Sequence, residues 1–262
     1  MVVIPRIPQD IIGEISDILA TDSDFQSLQS CALISKSWVH PCRRHLFRIV
    51  VFTSRCAARW VKTFPEPKNS PAHHVRDLRV WIGGADCVPD KFFEYIPRFT
   101  DVERMALWGH GSVGLSLRPS LWMLPQSVTS LAVDATGFTL VQVWEIMARL
   151  PNLDNLSLSG SYTPIRGSVL PEIGTSLKGR FGGKLLVCGG YASKDVMDAL
   201  SAILSGLCFT QVEIFCGRSS LLSAVRLAEA CSKTLVKLSQ VVYFFGQSHP
   251  FFRSSWFQRM MH

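Results

Sequence analysis

Val128-Thr-Ser-Leu131-Ala-Val133 is one copy of a short pattern that recurs through most of the chain. Apolar residues occupy the first, fourth and sixth positions of each copy. The central apolar residues stand at positions 78, 105, 131, 156, 185, 212 and 238, so that successive copies are 25 to 29 residues apart. A repeat of this length and form predicts one short strand per unit, followed by a returning helix or turn.

The rest of each unit agrees with that prediction. Complete copies of the pattern also occur at 75–80, 102–107, 153–158 and 209–214, and partial copies at 185–187 and 235–238. Apolar residues with helical spacing predict returning helices at 89–99, 139–150, 193–207 and 219–231. Residues 49–52 are expected to form the first strand and residues 55–64 its helix. Glycine and proline in 109–127 and 159–182 predict loops there.

The first fifty residues have a different, purely helical pattern. Pro8 suits the first turn of a helix, and Asp10 complements its dipole. Apolar residues with helical spacing then predict three short helices, and the polar break at 21–23 is expected to cap the second. The first helix would contain Ile11, Ile12, Ile15, Ile18 and Leu19, the second Phe25, Leu28 and Cys31, and the third Ala32, Leu33, Ile34 and Trp38. Three short helices bury little core by themselves, so we expect some of their apolar surface to dock onto a partner.

Two stretches of this segment resemble the F-box family. Ile7-Pro8-x-Asp10-Ile11-Ile12-x-x-Ile15 is similar to the family's opening Leu-Pro-x-Glu-Ile-Leu-x-x-Ile, and residues 24–38, ending in Ser-Lys-Ser-Trp, resemble the remainder. The likeness covers about forty residues. The repeat, in turn, resembles the degenerate leucine-rich repeats of F-box-like proteins from basidiomycete fungi. It departs from the standard repeat because the asparagine expected after the third apolar position is missing.

The resemblance implies an α/β fold in three parts. A small all-α F-box-like module would occupy residues 4–47, an irregular leucine-rich-repeat solenoid residues 48–245, and an irregular C-terminal tail residues 246–262. Each repeat of such a solenoid buries its apolar face only by stacking on its neighbours.

The implied function is that of a substrate-recognition adaptor in an SCF-type (cullin–RING) ubiquitin ligase. The helices would dock the SKP adaptor, and through it a cullin, while the repeats would bind a target protein. Such a protein is not an enzyme and acts by proximity. The residues expected to form or support the SKP interface are Ile7, Pro8, Ile11, Ile12, Ile15, Leu28, Ile34 and Trp38.

Two other functions are compatible with parts of the sequence. The first is an interaction scaffold outside any ligase, whose N-terminal helices only cap the repeats. The second is a nucleotide-dependent enzyme, because 109–114 has the form Gly-x-Gly-x-x-Gly and Asp134 follows 20 residues later. Pro119 and Pro125 interrupt the helix that should follow such a motif, and Asp134 is expected just after a strand, so we expect no cofactor.

Composition sets further expectations. The net charge is +7, but the basic residues are scattered, which argues against nucleic acid as a partner. No apolar stretch reaches the length of a membrane helix and no signal peptide is recognisable, so the expected location is cytoplasmic and/or nuclear. The eight cysteines lack metal-ligand spacing and are expected to be buried apolar residues, and His73 and His74 to be exposed linker residues.

Overall fold

A computed structural model of the chain describes residues 7–81, 88–109, 124–135, 139–160, 181–188, 193–203 and 208–243. It is a mixed α/β structure in which three helices precede a parallel sheet of eight strands. The α-helices are α1 Gln9–Thr21, α2 Phe25–Ile34, α3 Lys36–Leu46, α4 Ser54–Thr63, α5 Leu140–Ala148, α6 Ser193–Ile203 and α7 Leu221–Ala230. The strands are β1 Ile49–Phe52, β2 Asp77–Trp81, β3 Arg104–Gly109, β4 Ser130–Ala135, β5 Asn155–Ser159, β6 Lys184–Cys188, β7 Gln211–Gly217 and β8 Lys237–Tyr243.

The strands follow one another across the sheet in the order of the sequence, and every neighbouring pair is parallel. The predicted central apolar residues are aligned by this pairing: Leu78 lies beside Met105, Met105 beside Leu131, and Leu131 beside Leu156. The same row continues through Leu185 and Val212 to Leu238. The predicted strand positions are therefore confirmed.

One face of the sheet forms the core together with the returning helices. In every complete copy of the pattern, all three apolar residues are at most 2% exposed. Side chains alternate between the two faces of a strand, so the fourth and sixth positions of each copy share the inner face. Leu238 is an exception, 48% exposed in β8, the last described strand.

The predicted returning helices are also confirmed within the described residues, which include 193–203 of the predicted helix 193–207, with one change of type. Residues 90–98 form a 3-10 helix rather than an α-helix, and it contains Pro97. Aromatic side chains connect this helix to the first strand, where the ring centroids of Phe52 and Phe92 are 4.3 Å apart. Trp60 of α4 packs against the same strand, with its ring centroid 5.2 Å from that of Phe52. Further along, α5 begins with a capping box between Thr139 and Gln142.

Successive strands are joined by the same backbone arrangement. Just before most strands, two consecutive N–H groups donate to one carbonyl of the preceding unit. The Arg48 carbonyl, for example, accepts from Arg76 and Asp77 at 2.9 Å each, and the Arg76 carbonyl accepts from Glu103 and Arg104. This pairing recurs at every junction of the described strands except β5–β6. The bonds hold the entry of each strand against the strand before it.

The three N-terminal helices have a separate small core. Ile12, Leu28, Trp38 and Cys42 are buried together, apart from the cluster beneath the sheet. Only two residues lie between the end of α3 and the start of β1. Phe47, one of these two, packs edge-on against Trp60 with ring centroids 5.8 Å apart and so links the helices to the sheet.

Several local expectations were wrong. The N-cap of α2 is Asp24, whose side chain accepts from the Ser27 N–H at 3.0 Å, rather than a residue of 21–23. Residues 32–34 end α2 instead of starting the third helix, because Ser35 is extended. Asp134 lies inside β4, since its pairing with Trp108 and Ser159 continues the strand. Cys56 is exposed on α4 and is not a core residue.

The prediction for the two histidines was correct only in part. His73 is exposed, as predicted, but both residues form part of a short 3-10 helix, residues 71–74, instead of a linker. His74 is half-buried against His40 of α3. Most of the predicted loops 109–127 and 159–182, and the predicted C-terminal tail, lie outside the described residues.

Candidate functional site

The eight residues predicted to form or support an adaptor interface fall into two groups. Ile12, Leu28 and Trp38 are at most 7% exposed and form the core of the three helices, and Ile15 packs against them. Ile7, Pro8, Ile11 and Ile34 are exposed. Residues of the first group can support a binding surface, whereas those of the second group can contact a partner directly.

Leu33 belongs with the exposed group, although it was not among the eight predicted interface residues. It is 88% exposed, and its neighbour Ile34 is 68% exposed. Each helical residue advances by about 100°, which places Leu33 about 140° and Ile34 about 120° from the buried Leu28. That spacing could have identified both residues as pointing away from the core. We name Ile7, Ile11, Leu33 and Ile34 the outer patch.

A side chain of α1 holds the outer patch together. Pro41 lies within α3 and has no N–H, so the carbonyl of Ser37 lacks its usual donor four residues on. The Gln9 amide donates to that carbonyl at 3.0 Å. The bond brings the start of α1, with Ile7 and Ile11, to the junction between α2 and α3, where Leu33 and Ile34 lie.

The sheet offers a second surface on the face opposite the returning helices. In the register of β2, β3 and β4, Trp81 lies beside Trp108, and Trp108 lies beside Asp134. The two indole rings are 5.5 Å apart in an edge-to-face arrangement. On the same face, Lys184 and Glu213 form an ion pair of 2.8 Å. We name this face the open face; it combines aromatic, small and charged side chains.

Near the first strands, the open face is organised by a buried carboxylate. Asp77 is 4% exposed and accepts from Arg79 through both oxygens, at 3.0 and 2.9 Å. The Arg104 Nε lies 3.5 Å from the same carboxylate. Two guanidinium groups thus surround one carboxylate, which leaves this part of the face with an excess positive charge.

The cysteine of the open face is suited to packing and not to nucleophilic chemistry. Burial raises the pKa of the Cys188 thiol to about 12, and the charges of Glu213 and Asp134 act in the same direction. The thiol is therefore protonated at neutral pH, and the protonated form is a poor nucleophile.

A histidine cluster lies where the helices meet the sheet. The ring centroid of His74 is 5.2 Å from that of His40 on α3 and 3.9 Å from that of His73. Burial, followed by the charges of the neighbouring positive groups, lowers the pKa of His74 to about 4. We therefore assign His40, His73 and His74 a structural role, in the packing of the helices against the sheet.

Within the described residues there is no group of three or more His, Cys, Asp or Glu side chains that could hold a metal ion. None of the helices in that part of the chain is both long and apolar enough to cross a membrane. A scan against protein-family models and a search of curated proteins both find no match to this chain.

Proposed function

We propose that the protein is a substrate-recognition adaptor of an SCF-type ubiquitin ligase. The observation that carries this proposal is the outer patch: the three helices complete a core of their own and still leave Leu33, Ile34, Ile7 and Ile11 exposed at one end. Exposed apolar side chains grouped on a supported surface are typical of a protein-binding site. The F-box resemblance of the same segment names the SKP-family adaptor, and through it a cullin, as the partner.

For the sheet, we propose a leucine-rich-repeat-like solenoid whose open face contributes to target binding. The strict sequential order of the parallel strands and the recurring turn bonds support that assignment. The protein would itself carry out no bond chemistry and would raise the concentration of a target near the conjugating enzyme. This role places it in the cytoplasm, the nucleus or both.

Binding to a purified SKP-family adaptor tests the proposal. We expect the full chain to bind, and the double variant Ile11→Asp/Leu33→Asp to bind at least about tenfold more weakly, because two charges would be buried in an apolar contact. The matched control is Leu222→Asp/Val225→Asp, which changes two exposed apolar residues of α7. If the wild-type chain does not bind, or both double variants bind equally well, the docking proposal is wrong.

The competing proposal is a scaffold outside any ligase, in which the helices only cap the sheet. The direct join of α3 to β1 and the Phe47–Trp60 contact favour it, because both tie the helices to their own sheet. This function predicts no adaptor binding at all. The same binding measurement therefore decides between the two.

A further inference from the structure

A groove lies between the N-terminal helices and the first strands of the sheet. It has a volume of about 480 Å³ and is lined by the end of α1, the start of α2, the end of α3, and residues of β1 and β3. This volume lies within the range of ligand-binding clefts, about 300–1,000 Å³. We propose that the groove binds an acidic segment of a target protein, one that carries a bulky apolar residue close to its carboxylates.

The apolar part of the groove is formed by side chains that are normally buried. Phe25 at the start of α2 is 49% exposed, and Ile49 at the start of β1 is 46% exposed. Leu46 of α3 lies with them along the same groove and is only partly buried. Covering these side chains with an apolar residue of a partner would stabilise the complex.

Two arginines give the groove its charge. The Arg48 side chain is exposed and makes no hydrogen bond or ion pair with any described residue. Arg104 is also exposed, and among the described residues it forms an ion pair only with Asp77, at 3.5 Å. Arg79 already binds that carboxylate through both oxygens. Guanidinium groups bind carboxylates through paired hydrogen bonds.

No described carboxylate lines the groove to neutralise these cations. The nearby Asp17 contacts Arg44 and His45, at 2.5 and 2.7 Å, and is thereby engaged. The groove therefore combines an excess of positive charge, which Asp77 only partly offsets, with exposed apolar side chains. This combination is complementary to an acidic and apolar peptide segment. Two arginines and a short groove do not form the extended cationic track that a nucleic acid requires.

The groove and the outer patch lie at opposite ends of the same helices. Ala20 and Phe25 line the groove, whereas Ile11 and Ile34 belong to the outer patch. Nine residues of helix separate the members of each pair, which corresponds to about 14 Å. Both surfaces can be occupied at once. The claim that the bound segment belongs to a ligase target rests on the proposed adaptor function. The claim that the groove binds an acidic peptide does not depend on that function.

The groove can be tested with degenerate dodecapeptide libraries, each with one fixed residue. The measurement is which library members bind to the whole chain. We expect selection of Asp or Glu together with Leu, Ile, Phe or Met within a few positions. For the best acidic peptide, Arg48→Glu/Arg104→Glu should weaken binding about tenfold or more. The same variant should accept a peptide in which Lys replaces the acidic residues.

The matched control is Arg55→Glu/Arg59→Glu, which reverses two exposed arginines of α4 and should bind the acidic peptide normally. The single variant Arg48→Glu separates a loss of binding from misfolding, because the Arg48 side chain has no described partner to lose. This variant should bind the acidic peptide more weakly and have an unchanged circular dichroism spectrum. The proposal is wrong if no peptide is selected, if the selected peptides lack acidic residues, or if charge reversal at Arg48 has no effect. If acidic peptides are selected but the SKP-family adaptor does not bind, the groove proposal stands and only the proposed ligase function is wrong.

Discussion

His74 shows how one residue can report on the junction between the helices and the sheet. Its imidazole is half-buried, and that burial is the largest cause of a pKa near 4; the charges of His73, His40, Arg43 and Arg44 add to it. In the unfolded chain the same group would titrate near 6.5. Between these two values the unfolded state binds a proton that the folded state does not.

The stability of the junction should therefore depend on pH. Stability rises with pH wherever the unfolded state binds more protons, so the His74 contribution should be lost as the pH falls from about 6.5 toward 4. We expect His74→Gln to reduce this loss. The measurement is the free energy of unfolding in urea at several pH values for both chains. Curves that stay parallel from pH 7.5 to pH 4.5 would show that His74 takes no part.

At the scale of elements, the β5–β6 junction differs from the others. Instead of a backbone carbonyl, side chains of the preceding unit accept the N–H groups that lead into the strand. Asp154 Oδ1 accepts from the Gly182 N–H at 3.0 Å, and Asn155 Oδ1 accepts from the Lys184 N–H at 2.8 Å. These side chains occupy the space directly over Gly183.

Gly183→Ala should consequently destabilise the protein. A Cβ atom there would lie 2.5 Å from Asn155 Oδ1, and also too close to Asp154, so both acceptors would have to move away. Losing a partly buried hydrogen bond such as the one that Lys184 donates costs about 0.5–1.5 kcal/mol. Thermal or urea unfolding would measure the effect. The control is Gly182→Ala, whose Cβ would lie 3.2 Å from Asp154 Oδ1 and should cost less; an equal or larger cost there would contradict the explanation.

The elements differ in how far the sequence determines them. The strands could be predicted because the apolar pattern repeats with nearly constant spacing, and each position that it marks in a complete copy is buried. The 3-10 form of residues 90–98 and the length of β4 could not, because both depend on neighbouring units. Asp134, a polar residue, remains in a strand because β3 and β5 pair with it on both sides.

The candidate site could be predicted only in part, for a similar reason. A family motif marks apolar positions without separating those that build the core from those that contact a partner. Trp38 and Ile34 were therefore predicted together, although one is 7% and the other 68% exposed. The groove had no signal in the sequence, because Phe25 and Arg104 are nearly eighty residues apart and only the fold brings them together.

In the molecule as a whole, two hydrophobic cores of very different size are joined at one end. The core under the sheet runs from Phe52 to Cys231, whereas the helical core consists of Ile12, Leu28, Trp38 and Cys42 with a few partly buried neighbours. A small core contributes little to stability on its own. We therefore expect the three helices to open as a unit more readily than the sheet does.

Leu28→Ala in the full chain tests this division. Leu28 is fully buried in the small core, so the substitution should cost about 2–5 kcal/mol within the helices. Hydrogen exchange in α1, α2 and α3 should then accelerate by about thirtyfold or more, whereas β2, β3 and β4 should exchange as before. Leu33→Ala, at an exposed position of the same helix, should change neither region. Faster exchange throughout the sheet in Leu28→Ala would mean that the two cores unfold as one. In that case the helices would be a cap on the sheet, which is the arrangement that the scaffold function requires.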